Sequence, residues 1–294
     1  MSHGANDRKS LLMFVSSMLI FGTIGVFRRS IPLPSAFLAF ARGVLGGVFL
    51  LVFVLFRRGR VGDRLPARTL AYLALTGALI GVNWILLFEA YAHTTVAVAT
   101  LCYYMQPTIV ILLSPLLFRE RLTAKRAVCA LVAIAGMVLV SGVIGGGARA
   151  GSPRGVLLGL GAAAFYAAVV IMNKRVGGVD AYQKTIVQLL SAGIVMIPYL
   201  LATRGTSGGG LGPMSAALLL VVGIVHTGIA YLLYFGSMDG MRAQSIAILS
   251  YIDPVSALLI SALFLREPLG VAGLIGAVMI IGSAVASEIG EERR

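Results

Sequence analysis

The sequence predicts an all-α membrane protein of ten transmembrane helices, arranged as two inverted repeats of five. Three observations lead there: apolar runs that recur along the whole chain, basic residues gathered in the short gaps between them, and a second half that echoes the first. Hydrophobic residues make up 59% of the 294 positions and charged residues 12%, and the mean hydropathy of +0.96 is far above that of a water-soluble domain. A helix rising about 1.5 Å per residue needs about 20 residues to cross roughly 30 Å of hydrocarbon, and the runs have that length.

Boundaries drawn at charge clusters and Gly/Pro/Ser turns place the spans at about 10–27, 34–56, 67–88, 95–117, 124–142, 154–173, 181–202, 213–236, 242–264 and 269–287. The first run, Ser10 to Phe27, is followed by Arg28 and Arg29 and lacks a small-x-small cleavage pattern, so it is expected to stay as a span. Gly145 to Ser152 and Thr203 to Gly212 are hydrophilic linkers too short to hold another domain. With ten spans, 17 Lys and Arg fall on the side of the N-terminus and 6 on the other, Arg42 lying inside a span. The excess marks the cytoplasmic side, so both termini are expected there.

The chain repeats itself at an offset of 147 residues, the separation of Tyr104 from Tyr251. Identical pairs in that register include Phe88/Phe235, Pro107/Pro254, Arg119/Arg266, Glu120/Glu267 and Leu122/Leu269. Residues 1–147 and 148–294 therefore form two units. Five spans is an odd number, so the second unit enters the membrane upside down relative to the first, as in many secondary transporters.

Several classes are disfavoured. The net charge of +13 could attract nucleic acid, but the basic residues sit in loops between apolar runs and serve as topology and headgroup signals instead. Cys102 and Cys129 lie inside apolar segments without disulfide or metal spacing. His226 has no second ligand at metal spacing, so helix packing through a hydrogen bond is its default. No HExxH, GxSxG or Walker A pattern occurs, which leaves an intramembrane enzyme without a visible constellation. No cofactor is expected. The expected partners are a small-molecule substrate and the lipid bilayer, with a monomer sufficient.

Ten spans, five-plus-five repeats, and the motifs FRERLT (Phe118 to Thr123) and LREPLG (Leu265 to Gly270) resemble the EamA-type drug/metabolite transporter superfamily. Within it the chain looks most like the YddG-type bacterial inner-membrane exporters of aromatic amino acids. The resemblance implies a central cavity lined by spans 1, 3, 4, 6, 8 and 9, with spans 5 and 10 at the periphery. It also implies export of aromatic or apolar amino acids, or of related amphipathic metabolites, by alternating access. A multidrug exporter or a channel is the alternative.

Individual residues carry rival readings. Glu120 and Glu267 precede the fifth and tenth spans, where a carboxylate can accept from free backbone N–H groups; capping is favoured over substrate contact. Pro107 and Pro254 fall mid-span and each removes one helical hydrogen bond, giving a kink that serves packing or lines a cavity. The residues before them, Gln106 and Asp253, are repeat equivalents. A carboxylate at mid-span costs several kcal/mol unless paired, hydrated or protonated, so Asp253 is a candidate for proton coupling or for a substrate ammonium, against a structural pair with Arg42. Arg42 itself is read as snorkelling or pairing between helices.

Aromatic and amide residues gather in the spans the resemblance places around the cavity: Asn83, Trp84 and Phe88; Tyr103 and Tyr104; Phe165, Tyr166 and Asn173; Tyr231, Tyr234 and Tyr251. An interfacial belt explains Tyr91 near a span end but not hydroxyls at mid-span, which need partners. Together they suit an amphipathic solute with an apolar or aromatic side chain. Gly43/Gly47, Gly77/Gly81 and Gly155/Gly159, each pair four apart, are expected to let helices approach closely inside the bundle.

Overall fold

The computed structural model describes residues 2–59, 61–94, 96–140, 152–203, 212–265 and 270–288. Glu267, most of LREPLG and nearly all of both hydrophilic linkers lie outside the described residues. Among those described, the chain is helical without strands, in ten columns. Columns one to three are α1 (Ser2–Arg29), α2 (Ser35–Arg58) and α3 (Ala67–His93). Column four is broken into α4 (Val96–Tyr103) and α5 (Gln106–Phe118), and column five is α6 (Ala124–Val140). Columns six and seven are α7 (Pro153–Arg175) and α8 (Ala181–Ala202). Column eight runs through α9 (Pro213–Gly223), a π-helical segment (Ile224–Ile229) and α10 (Ala230–Ser237). Column nine is again broken, into α11 (Ala243–Leu249) and α12 (Ile252–Leu265), and column ten is α13 (Val271–Glu288).

Among the described residues seven stretches are long and apolar enough to cross a membrane: Arg8–Phe27, Ser35–Arg57, Ala67–His93, Val98–Phe118, Pro153–Arg175, Ala181–Ala202 and Pro213–Gly240. The other three columns are shorter or interrupted. The outer surface suits lipid, since large apolar side chains such as Phe56, Leu116 and Leu263 stand exposed, a pattern that water would penalise. Polar side chains are turned inward: Asn83, Asn173, Gln188, Lys184, Gln244 and Arg126 are all buried. The protein is thus a multi-pass membrane protein.

Local chemistry sets the helix ends. Pro153 and Pro213 open α7 and α9, where the missing N–H has no helical partner to lose. Ser152 accepts from the Gly155 N–H at 3.2 Å, and Asp180 accepts from Tyr182 and Gln183 at 3.1 and 3.3 Å, satisfying donors that a helix start leaves free. Arg119 ends α5 in the left-handed conformation, with φ 57°.

Pro107 and Pro254 correct an expectation. They do not kink continuous helices. The chain leaves the helix at Tyr104–Met105 and at Ser250–Tyr251, and each proline sits in the first turn of the helix that follows. A proline there removes no bond, because the first-turn N–H groups lack partners anyway. The two breaks fall within one residue of the register that pairs Tyr104 with Tyr251.

Hydrogen bonds show which loops share an end of the bundle. At one end Gln183 Nε2 donates to the Asp63 carbonyl at 3.0 Å, and Lys184 Nζ reaches the Val176 carbonyl at 3.1 Å and Asp239 Oδ1 at 3.4 Å. Lys174 Nζ donates to the Met238 carbonyl at 3.1 Å and also to that of Met241. At the opposite end Tyr199 donates to Glu89 at 2.6 Å and Ser215 to the Ser30 carbonyl at 3.2 Å. We call the first the basic end and the second the far end.

Glu120 also differs from its expected place. Its carboxylate caps a helix, but a distant one: Oε1 and Oε2 accept from the backbone N–H groups of Ala243 and Gln244 at 2.9 and 3.3 Å, at the start of α11. Thr123 Oγ1 takes the capping position at α6 instead, accepting from Arg126 at 3.3 Å. Arg126 Nη1 in turn donates to Gln244 Oε1 at 2.8 Å, and Gln244 Nε2 donates to Ser114 at 2.9 Å. These bonds tie columns four and five to column nine at the basic end.

The small-residue pairs pack inside the bundle, as expected. A Cβ on Gly77 would stand 2.3 Å from the Gln188 carbonyl, and one on Gly81 2.7 Å from that of Ala192, so α3 and α8 touch backbone to backbone. Gly77→Ala is therefore expected to lower the thermal midpoint in detergent, at a cost of about 1 to 3 kcal/mol. Gly282→Ala meets nothing within 4 Å, and its midpoint should stay equal or rise. Equal behaviour of the two variants in a thermal-shift assay would contradict the α3–α8 contact.

Candidate functional site

The two broken columns, column eight and four intact helices surround a cavity of about 690 Å³. Its walls come from α1, α2, α3, α4, α7, α10, the end of α9 at Val222 and the starts of α5 and α12; α6 and α13 contribute nothing to the lining. Toward the far end the lining reaches Gly25, Ser35 and Tyr91, and toward the basic end it stops at Tyr234 and Ser250. Below that floor Phe14, Phe235, Met238 and Ile246 are fully buried, and beneath them lie the Lys174, Lys184 and Glu120 bonds. The basic end is closed by an apolar layer backed by a polar one.

The wall is aromatic and nearly continuous. Tyr103 stacks on Tyr166 with centroids 5.8 Å apart, and Tyr166 on Tyr234 at 6.4 Å. Phe21 meets Tyr231 edge-on at 5.1 Å, and Tyr231 meets Trp84 at 6.3 Å. Offset and edge contacts of this kind hold rings in fixed orientations. Phe88 completes the wall beside Trp84.

Two charged groups and one amide interrupt it. Asp253, in the first turn of α12, accepts from the Tyr104 hydroxyl at 3.0 Å through Oδ2. Gln106, the first residue of α5, is 3% exposed and its Nε2 has no hydrogen-bond partner. Arg42 lays its guanidinium over the Trp84 ring at 4.9 Å, with Nε buried and unpartnered. Arg42 and Asp253 form no ion pair with each other. Arg42 therefore neither snorkels to the surface nor closes a structural pair. The signal for it was available: a charge inside a span has the same cost as the one at Asp253.

Of the residues singled out from the sequence, Trp84, Phe88, Tyr103, Tyr104, Gln106, Tyr166, Tyr231, Tyr234 and Asp253 line this cavity. Asn83, Phe165, Asn173 and Tyr251 lie outside its lining. Asn83 Nδ2 donates to the Ala162 carbonyl at 2.7 Å, bridging α3 and α7. Asn173 accepts from Gln188 at 2.9 Å, bridging α7 and α8. Tyr251 turns toward the periphery, packing with Ala133, Met137 and Ile280, its hydroxyl paired with that of Thr108 at 3.0 Å. Phe21, Thr100 and Ser250 join the lining without having stood out in the sequence. His226 binds Thr23 at 2.7 Å and packs on Phe27, as a helix-packing residue does. Among the described residues no cluster of metal ligands occurs.

A lipid-embedded helix bundle around a part-polar cavity that is closed at one end has the build of a membrane transporter. The sequence profile of the EamA-like transporter family matches twice, over residues 8–142 and 153–287. The chain belongs to that family, within the drug/metabolite transporter superfamily. It is 28% identical over 258 residues to YxxF, an uncharacterized transporter of Bacillus subtilis, covering 87% of this chain and 81% of that one. It is 26% identical over 266 residues to the protein RarD of Salmonella typhi, covering 88% and 87%. It is 28% identical over 229 residues to the protein PecM of Dickeya dadantii, covering 75% and 74%. A known crystal structure superposes with a TM-score of 0.81 at 22% identity, over 95% of this chain and 98% of that one, which supports the fold.

The cavity predicts an access pattern. With Cys102 and Cys129 replaced, a cysteine at Gly25, where a Cβ meets nothing within 4 Å, should react readily with a water-soluble thiol reagent. A cysteine at Phe235, fully buried below the floor, should resist it. Equal labelling rates would mean that the basic end is not closed.

Proposed function

We propose that the protein is a secondary transporter that exports an amphipathic, amino-acid-like solute with an apolar or aromatic side chain across a bacterial inner membrane, by alternating access. The observation that carries this reading is the aromatic cavity itself, with a lining that reaches toward the far end, studded with Arg42, Gln106 and Asp253, and with buried apolar side chains below it at the basic end. Apolar walls with a few placed polar anchors are what a small amphipathic ligand needs. A bare inorganic ion finds no ring of oxygens there.

The two halves, residues 1–147 and 148–294, act as inverted repeats in this proposal. The paired family matches and the helix breaks at nearly equivalent places in the two halves support it. Rocking one half against the other would open the basic end and close the far end. The Lys and Arg excess argues that the basic end faces the cytoplasm, with both termini. The closed basic end then corresponds to a state open to the outside.

Counterflow in proteoliposomes tests the function: vesicles loaded with unlabelled phenylalanine, tryptophan or leucine should accumulate the labelled compound unchanged. Trp84→Ala should raise half-saturation for the aromatic substrates about tenfold, since loss of one ring contact is worth about 1.4 kcal/mol, with expression unaltered. No counterflow with any of these amino acids would overturn the reading. Orientation is checked separately in whole cells. A lone cysteine at Ser30 should react with an impermeant reagent from outside and one at Asp63 should not; the reverse would invert the topology.

A further inference from the structure

Arg42 and Asp253 present an unusual combination. Both line one cavity, both lie within membrane-spanning columns, and their charges are opposite. The two form no ion pair, and each is turned to the cavity instead. A charge in such surroundings normally closes on its nearest opposite partner, because an unneutralised ion in a low-dielectric site is costly. Here, among the described residues, that closure is absent and the partners seen are neutral: Trp84 under Arg42, and the Tyr104 hydroxyl on Asp253. Gln106 lines the same cavity, buried and with an amide nitrogen that has no hydrogen-bond partner.

Resting on the reading of this cavity as the substrate site, we infer that Arg42 and Asp253 form a split charge clamp for a zwitterion. Arg42 receives the α-carboxylate, Asp253 receives the α-ammonium, and the free amide of Gln106 donates to the carboxylate edge. The planar guanidinium suits a carboxylate, which it can meet with two parallel N–H bonds. Asp253 retains acceptor capacity on Oδ1 for an ammonium while Tyr104 holds Oδ2. The apolar side chain of the substrate then lies against Tyr103, Tyr166 and Tyr231. Such a site discriminates by charge count: a solute carrying only one of the two charges leaves the other clamp residue uncompensated in the cavity.

The experiment compares matched triplets in competition with labelled substrate: phenylalanine, phenethylamine and 3-phenylpropionate, and leucine, isoamylamine and 4-methylvalerate. The wild type should bind each amino acid at least about tenfold more tightly than its amine or its acid, a difference of about 1.4 kcal/mol. Arg42→Gln should erase the advantage over the amine and keep that over the acid. Asp253→Asn should do the opposite, and Arg42→Lys should restore part of the first. Wild-type protein that takes amines or acids as well as amino acids would overturn the clamp while leaving amphipathic transport standing. So would variants that lower all three members of a triplet equally. A wild type that transports and binds none of the six compounds would bring down both the clamp and the function it rests on. Should the variants misfold, the wild-type competition series decides by itself.

Discussion

A helix can be interrupted inside hydrocarbon only where something other than lipid meets the freed backbone groups. That constraint explains the placement of both broken columns. α4 gives way to α5, and α11 to α12, where the chain faces the cavity, so that the open turns border a polar space rather than acyl chains. The residues at those turns, Tyr104 and Gln106 in one half and Ser250 and Asp253 in the other, all line it. The break and the binding surface have one cause, since the same loss of helical bonding that must be kept from lipid also presents short half-helix starts to a solute.

The intact helices serve a different need. α3, α7 and α8 are held by amides and close glycine contacts rather than by the apolar exclusion that would drive them together in water. Asn83 donates across to a backbone carbonyl, Asn173 accepts from the Gln188 amide of the neighbouring helix, and Gly77 and Gly81 let the backbones meet. At the basic end Glu120 reaches from the connection after α5 to the first turn of α11, joining segments more than 120 residues apart, as the 123-residue separation of that bond shows. A scaffold with rigid flanks and an electrostatically fastened base leaves the cavity as the place where two arrangements can exchange.

Much of this was legible in the sequence, and the limits are physical. The spans are visible because hydrocarbon thickness imposes a length on apolar runs. The doubled Tyr-x-x-Pro pattern locates both irregular columns, but a mid-run proline reports only a missing N–H, so a kink and a restart look alike until the neighbours' dihedral angles are known. Tyr104 and Tyr251 are equivalent in the repeat yet face opposite ways, one toward Asp253 and one toward α6 and α13. Helix rotation is set by packing partners, which a single sequence does not state. Asn83 and Asn173 are misplaced for a related reason, because an amide serves helix packing as readily as it serves a ligand. Arg42 is missed by weighing the length of its side chain over the cost of its charge.

The chain contains one tryptophan, Trp84. It lies in the cavity wall, with Arg42 over its face and Tyr231 at its edge. Indole emission responds to the polarity and charge around the ring, and nearby tyrosines pass their excitation to it. The protein thus carries a single built-in optical reporter, seated where occupancy, hydration and the position of the Arg42 charge all change together. Any solute entering the cavity should alter the whole intrinsic emission of the molecule, with no other indole to dilute the signal.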